Sequence, residues 1–411
     1  MCRAYAHNKI ITELKLAKKK KENTDDFTSD LIKSLNKEHG SKVAYNLAYD
    51  ESPTHVKRWI STGSKQLDYI VSNRDNGGLP EGRIVEIFGP PSIGKSHIAI
   101  QIARSTQEMG GIVVYIDTEN ATSVENLGLL GVDIEKRFVY VDTHCTEEVL
   151  SIAEATIMKA KAMDKNVPVT IIWDSVAASS PKAELVGDYD KETIGLQARA
   201  ISKGMRKITG VIANQNVLFV ILNQIRTKIG VMYGDPTTTP GGKAIPFHSS
   251  VRIKLGAGQR IENKNKEVIG INVSAKTIKN KVAAPFRSCN FEIHFGKGIR
   301  EHEQVFDELR KFGSASIPGG KDVTISGTGA WKSLMVNDTK TGEVILEKKF
   351  YKADFGDVWK DPEFKGYIDA LLSECLVRKM ESDIDLDTES FEEVRAAVME
   401  INLEDLPDLD D

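Results

Sequence analysis

The run Gly89-Pro90-Pro91-Ser92-Ile93-Gly94-Lys95-Ser96 carries two glycines, a lysine and a hydroxyl at the spacing G-x-x-x-x-G-K-S. The chemistry that needs this spacing is phosphate binding. Glycines let successive backbone N–H groups turn inward on phosphate oxygens, and Lys95 supplies a point charge to β- and γ-phosphates. Ser96 offers its hydroxyl to Mg²⁺.

Three further groups follow apolar runs. Glu119 stands in "DTENATS", where a carboxylate can polarise water for in-line attack on a γ-phosphate. Taken alone, the same segment is an equally good helix N-cap. Asp174 ends "VTIIWD", the place where a carboxylate holds Mg²⁺ directly or through water. Asn223-Gln224 ends "VLFVILNQ", and an amide there can touch both the γ-phosphate and the loop that follows. A satisfied strand-end amide is the bland alternative.

Such groups act together only if one frame brings the strand ends to one rim. The runs "IVEIF", "IVVYI", "VTIIW" and "VLFVIL" are β-branched and apolar on both faces, as buried parallel strands are. Between them lie "SHIAIQIARSTQEMG", "TEEVLSIAEATIMKAKAM" and "IGLQARAISKGMRKITGVIANQN", all of helical period. The alternation predicts an α/β fold, a mostly parallel sheet flanked by helices, with ligands beyond the carboxyl ends of its strands. The later runs "SVRIKLG", "VIGINVSAKTI" and "NFEIHFG" crowd together and extend the sheet through antiparallel hairpins.

Residues 1–50 form a lysine-rich leader and a helical arm in which Phe27, Leu31, Ile32 and Leu35 recur at helical spacing. Residues 51–300 are the core, 301–380 a small α+β C-terminal domain, and 381–411 an acidic, disordered tail. The tail holds thirteen acidic residues and one basic residue, so subtracting its −12 from the chain's −4 leaves about +8 on the rest. An anionic tail can compete with a polyanion for a basic body. Four scattered cysteines, none at C-x-x-C spacing, exclude a disulfide framework and a zinc site and place the chain in a reducing cytoplasm. No apolar run is long enough to cross a bilayer, so no membrane partner is expected.

Taken together, "WISTGSKQLD", "GGLPEGRIVEIFGPPSIGKS", "YIDTENA", "WDSVAASSPKAE", "NQIRTKIGVMYGDPTTTPGGKAIPFHSSVRIKL" and "IKNKVAAPF" resemble, in order and spacing, the bacterial-type RecA recombinases. The resemblance covers roughly residues 55–300, with a looser echo in "GTGAWKSL" and the acidic tail. It implies a P-loop NTPase with a RecA-like core, an ATP-dependent enzyme that forms filaments on single-stranded DNA. It also implies pairing of that strand with a homologous duplex in recombination and repair. Single-strand-binding protein and loading mediators are the further partners it suggests.

In the family, Lys95 and Ser96 would hold phosphate and Mg²⁺, Glu119 would activate water and Gln224 would sense the γ-phosphate. Lys279 and Lys281 match lysines that reach the nucleotide of the neighbouring subunit, a cationic contribution of the arginine-finger kind. Arg199 and Arg206 match basic residues beside a first DNA-binding loop running through "ELVGDYDKETIG". Arg226, Lys228 and Ile229 lie in a second loop with Gly241 and Gly242 at its far end. Ile194 and Ile229 match the apolar side chains that separate base triplets. Backbone-centred contacts of this type leave sequence to be read by base pairing.

Four features depart from the bacterial pattern. Pro91 replaces an acidic residue, Pro240 replaces a threonine, Asn126 stands where relatives stack an aromatic ring on adenine, and the leader is long. The segment "VTISGTGAWKSLMVNDTKTGEVILEKKFYKADFGDVW" also differs, as in a phage-encoded or divergent member. A ring helicase on the same core and a nucleotide-switched filament scaffold without strand exchange are the competing readings.

Overall fold

The computed structural model describes residues 27–47, 50, 52–188, 195–227 and 237–377. Ile194, Lys228, Ile229 and the acidic tail lie outside the described residues. The described residues up to His55 belong to the first of two compact units. In it the expected arm helix spans α1 (Phe27–Glu38), and the chain after it is fastened by Asn36, whose Oδ1 accepts from the amides of Val43 (2.7 Å) and Ala44 (2.8 Å).

The second unit begins at Val56. A short pair, β1 (Trp59–Ile60) and β2 (Leu79–Pro80), brackets α2 (Lys65–Ser72). The sheet is then built from β3 (Ile84–Gly89), α3 (Lys95–Glu108), β4 (Ile112–Asp117), α4 (Val124–Leu129), β5 (Phe138–Asp142), α5 (Thr146–Met163) and β6 (Val169–Asp174). It continues through α6 (Lys182–Val186), α7 (Leu196–Asn214) and β7 (Val217–Gln224). Beyond these come β8 (Arg226–Thr227), β9 (Thr237–Thr238), α8 (Ala244–His248), β10 (Val251–Glu262), β11 (Val268–Asn280), β12 (Ser288–His294) and β13 (Gly298–Arg300).

The nine-stranded sheet has the order β13-β12-β11-β10-β3-β7-β6-β4-β5. Pairings from β10 through β5 are parallel, and those among β10, β11, β12 and β13 are antiparallel, as the crowding of the later runs predicts. One strand escapes the sequence pattern. The edge strand β5 exposes Val139 and Tyr140, although Phe138–Val141 is an apolar run like those of its buried neighbours.

Alternation along each central strand divides the core in two. Val85, Ile87, Val220 and Leu222 face α3 with Ile98 and Ile102, whereas Ile84, Phe219, Ile221 and Trp173 face α5 and α7 with Val149, Ile157, Ile201 and Met205. Each such fully buried side chain contributes about 1.5–3 kcal/mol. This burial on both faces holds the strand ends in fixed register.

After β13 come α9 (His302–Phe312), an antiparallel sheet in the order β14 (Ser314–Ile317), β15 (Lys321–Ser326), β16 (Trp331–Asp338) and β17 (Val344–Tyr351), then α10 (Phe355–Lys360) and α11 (Pro362–Leu376). The cluster of Phe306, Leu334, Phe350, Phe355 and Ile368 also takes in Tyr69 of α2. Glu301 binds this segment to the core by accepting from Ser64 Oγ (2.6 Å) and from the Lys65 and Gln66 amides at the start of α2. Among the described residues, no helix is long and apolar enough to cross a membrane.

Candidate nucleotide and nucleic-acid site

The strands β3, β7, β6 and β4 are neighbours, and their carboxyl ends meet at one rim. Gly89 lies opposite Gln224, and Asp117 opposite Asp174. The frame read from the sequence therefore brings the expected groups together.

Gly89–Ser96 joins β3 to α3. Its Ser92 and Gly94 have φ of 58° and 91°, a backbone shape that opens amides inward. The amides of Ser92, Ile93 and Gly94 donate to no protein carbonyl among the described residues. A Cβ on Gly89 would lie 2.7 Å from the Leu255 carbonyl, so only glycine fits there. Lys95 is buried and donates to the Pro90 carbonyl at 2.7 Å. Burial lowers its pKa, against the pull of the Asp174 and Glu119 carboxylates.

Ser96 Oγ donates to Asp174 Oδ2 at 2.7 Å, and the buried Tyr115 hydroxyl donates to the same oxygen at 2.6 Å. Burial pushes the Asp174 carboxyl up, while these two hydroxyls hold it down. A hydroxyl and a carboxylate sharing one oxygen-rich corner form a hard donor set, which fits Mg²⁺. Tyr115 escapes the sequence reading, because a tyrosine inside an apolar run reads as core.

Glu119 receives hydrogen bonds on Oε1 from Ser175 Oγ and from Gln224 Nε2, the latter at 3.2 Å. Asp117 accepts from the amides of Glu119 (3.0 Å), Asn120 (2.8 Å) and Thr122 (3.1 Å). The helix N-cap here is Ser123, which accepts from the Asn126 amide, whereas Asp117 ties the turn before it and Glu119 projects from that turn. Asn223 departs from the rim-facing expectation. It is fully buried and gives its amide to Glu86 and Pro240.

Lys279 and Lys281 do not join this cluster in the same chain. Lys279 Nζ donates to the carbonyls of Pro246 (2.7 Å) and Phe247 (2.8 Å) in α8. Burial lowers its pKa, and Lys281 and Arg252 add to the shift.

Arg199 and Arg206 are exposed, seven residues and about two turns apart on α7, and so share one side of it. Arg226 is exposed in β8, which pairs with β9 at Arg226–Thr238. The second loop therefore has a short antiparallel ladder at its neck. Gly241 and Gly242 have φ of 88° and 70°, and the space a Cβ would need is filled by Ile201 and Ile245 at Gly241 and by Ala198 at Gly242. The close approach made in this chain is to α7.

The family profile for the RecA N-terminal domain matches residues 27–300. This chain belongs to the RecA family. It is 40% identical over 306 residues to Protein RecA of Ruminococcus albus, covering 74% of this chain and 71% of that one. To Protein RecA of Chlorobaculum tepidum it is 39% identical over 323 residues, 79% and 87% of the two chains. To that of Staphylococcus aureus it is 35% identical over 352 residues, 86% and 91%. The RecA profile ends at the strand β13, where the sheet ends and the C-terminal segment begins.

Proposed function

We propose that this chain is a DNA-dependent ATPase that forms filaments on single-stranded DNA and catalyses homologous pairing and strand exchange. The observation that carries the reading is the contact between Glu119 and Gln224. It joins the carboxylate suited to activating water with the last residue before the second DNA loop.

In this reading the inward amides of residues 92–94 and the Lys95 ammonium bind the triphosphate of ATP. Ser96 and Asp174 would hold Mg²⁺, which when bound neutralises charge on the β- and γ-phosphate oxygens. Glu119 accepts the proton of the attacking water at a carboxylate oxygen, and Ser175 and Gln224 orient it. Lys279 and Lys281 leave their own chain's rim and serve the nucleotide of a neighbouring subunit, which makes turnover depend on assembly.

Arg199, Arg206, Arg226 and Lys228 bind phosphates. Ile194 and Ile229 separate bases, and Gly241 and Gly242 set the return of the second loop. The domain limits at 50, 300 and 380 and a cytoplasmic location belong to the same proposal.

The test is ATP hydrolysis with and without single-stranded DNA, followed by D-loop formation. Stimulated hydrolysis and ATP-dependent D-loops are expected, with Lys95→Ala abolishing both. Hydrolysis indifferent to single-stranded DNA across a salt series would overturn the reading.

A further inference from the structure

Both N–H donors of Asn223 are used, and its oxygen has a partner. Its Nδ2 donates to Glu86 Oε1 at 3.0 Å and to the Pro240 carbonyl at 3.1 Å, and its Oδ1 accepts from the Gln224 amide at 3.0 Å. The orientation is unambiguous, because a flipped amide would set oxygen against a carboxylate and a carbonyl. One buried side chain thus touches the exit of the second loop, the backbone of Gln224, and the strand that leads into the phosphate loop.

Glu86 completes the link. It is fully buried on β3, three residues before Gly89, and its Oε2 accepts from Arg252 Nε at 2.5 Å. Arg252 lies 4.7 Å from the centre of the Phe88 ring and in register with Lys279 on β11. Both oxygens of the Glu86 carboxylate are therefore used, and the side chain is fixed in place. A shift of the Pro240 carbonyl would leave a buried Asn223 N–H unpaired next to that fixed carboxylate, which the fold resists.

We infer that Asn223 is a positioning residue that couples the second loop to the nucleotide site through its bonds to Pro240, Gln224 and Glu86. This rests on the recombinase reading and deepens it. When DNA moves the loop exit, Asn223 transmits the displacement to the Gln224 backbone, and so to the contact with Glu119. Nucleotide bound beyond β3 and β7 acts on the loop by the same path in reverse, as reciprocal coupling requires.

The exchange variant Glu86→Gln with Asn223→Asp keeps the β3–β7 contact and breaks the one to Pro240. The amide introduced on β3 donates to the carboxylate introduced on β7 and accepts from Arg252. That carboxylate still accepts from the Gln224 amide and net charge is kept, but the donor to Pro240 is replaced by a carboxylate oxygen that repels its carbonyl, and Arg252 keeps a hydrogen bond in place of its ion pair. The ratio of DNA-stimulated to DNA-independent hydrolysis is expected to fall about tenfold, while the single variant Glu86→Gln loses thermal stability that the exchange restores. A wild-type ratio in a folded exchange variant overturns the inference.

A second measurement needs no variant. In the wild-type protein, amide hydrogen exchange at residues 241–244 should slow on addition of a non-hydrolysable ATP analogue without DNA. No response to nucleotide also overturns the coupling. Absence of DNA stimulation in the wild-type enzyme would instead overturn the recombinase reading itself.

Discussion

Gln224 Nε2 lies 3.2 Å from Glu119 Oε1, so the last residue of β7 touches the side chain that follows β4 across the intervening strand β6. The contact exists because parallel register brings four strand ends to one rim. In the proposed reading it is the route from the second loop to the attacking water.

Removing the charge of Glu119 while keeping its shape tests the base. Glu119→Gln should cut kcat for ATP roughly a hundredfold to ten-thousandfold with ATP still bound, measured by fluorescent-nucleotide titration beside turnover. Gln224→Ala should lower basal hydrolysis less than Glu119→Gln does and lose its stimulation by single-stranded DNA. Equal stimulation in both proteins would separate Gln224 from the response.

Asp68 sets a pH dependence of stability. It is buried, and burial pushes its carboxyl from 3.8 up to about 7, against hydrogen bonds from Ser61 and Thr62 and with the nearby Glu301 raising it further. Glu301 is also pushed up, chiefly by burial. The folded state then holds these protons more tightly than the unfolded chain. Stability should fall as pH rises from about 4 to 7 and level off above it. Chemical denaturation of Asp68→Asn should show a flatter slope in that window, and an unchanged slope would remove Asp68 as its source.

Gly241→Ala tests the exit of the second loop. With φ at 88° and Ile201 and Ile245 carbons 2.9 Å from the new Cβ, the substitution should cost about 1–3 kcal/mol. It should weaken single-strand binding, read by fluorescence anisotropy, more than ATP binding.

Deleting residues 381–411 removes a net −12 from a chain of net −4. Duplex-DNA binding should tighten, most at low salt, because phosphate binding is electrostatic and steeply salt dependent. Identical affinities across a salt titration would leave the tail without this role.

By itself the sequence determined the frame. Long β-branched runs can be buried only as central strands, and the helical period between them forces parallel order, so the phosphate loop, Glu119, Asp174 and Gln224 were bound to share a rim. The β5 run Phe138–Val141 is apolar too, but nothing local marks it as a half-exposed edge rather than a buried strand. Only the tertiary structure decided the partners: Tyr115 on Asp174, Asp117 beneath Glu119, and Asn223 between Glu86 and Pro240. A polar residue inside an apolar run is indistinguishable from neighbouring core until register shows which group faces it. Register is set by packing across distant strands, not by local sequence.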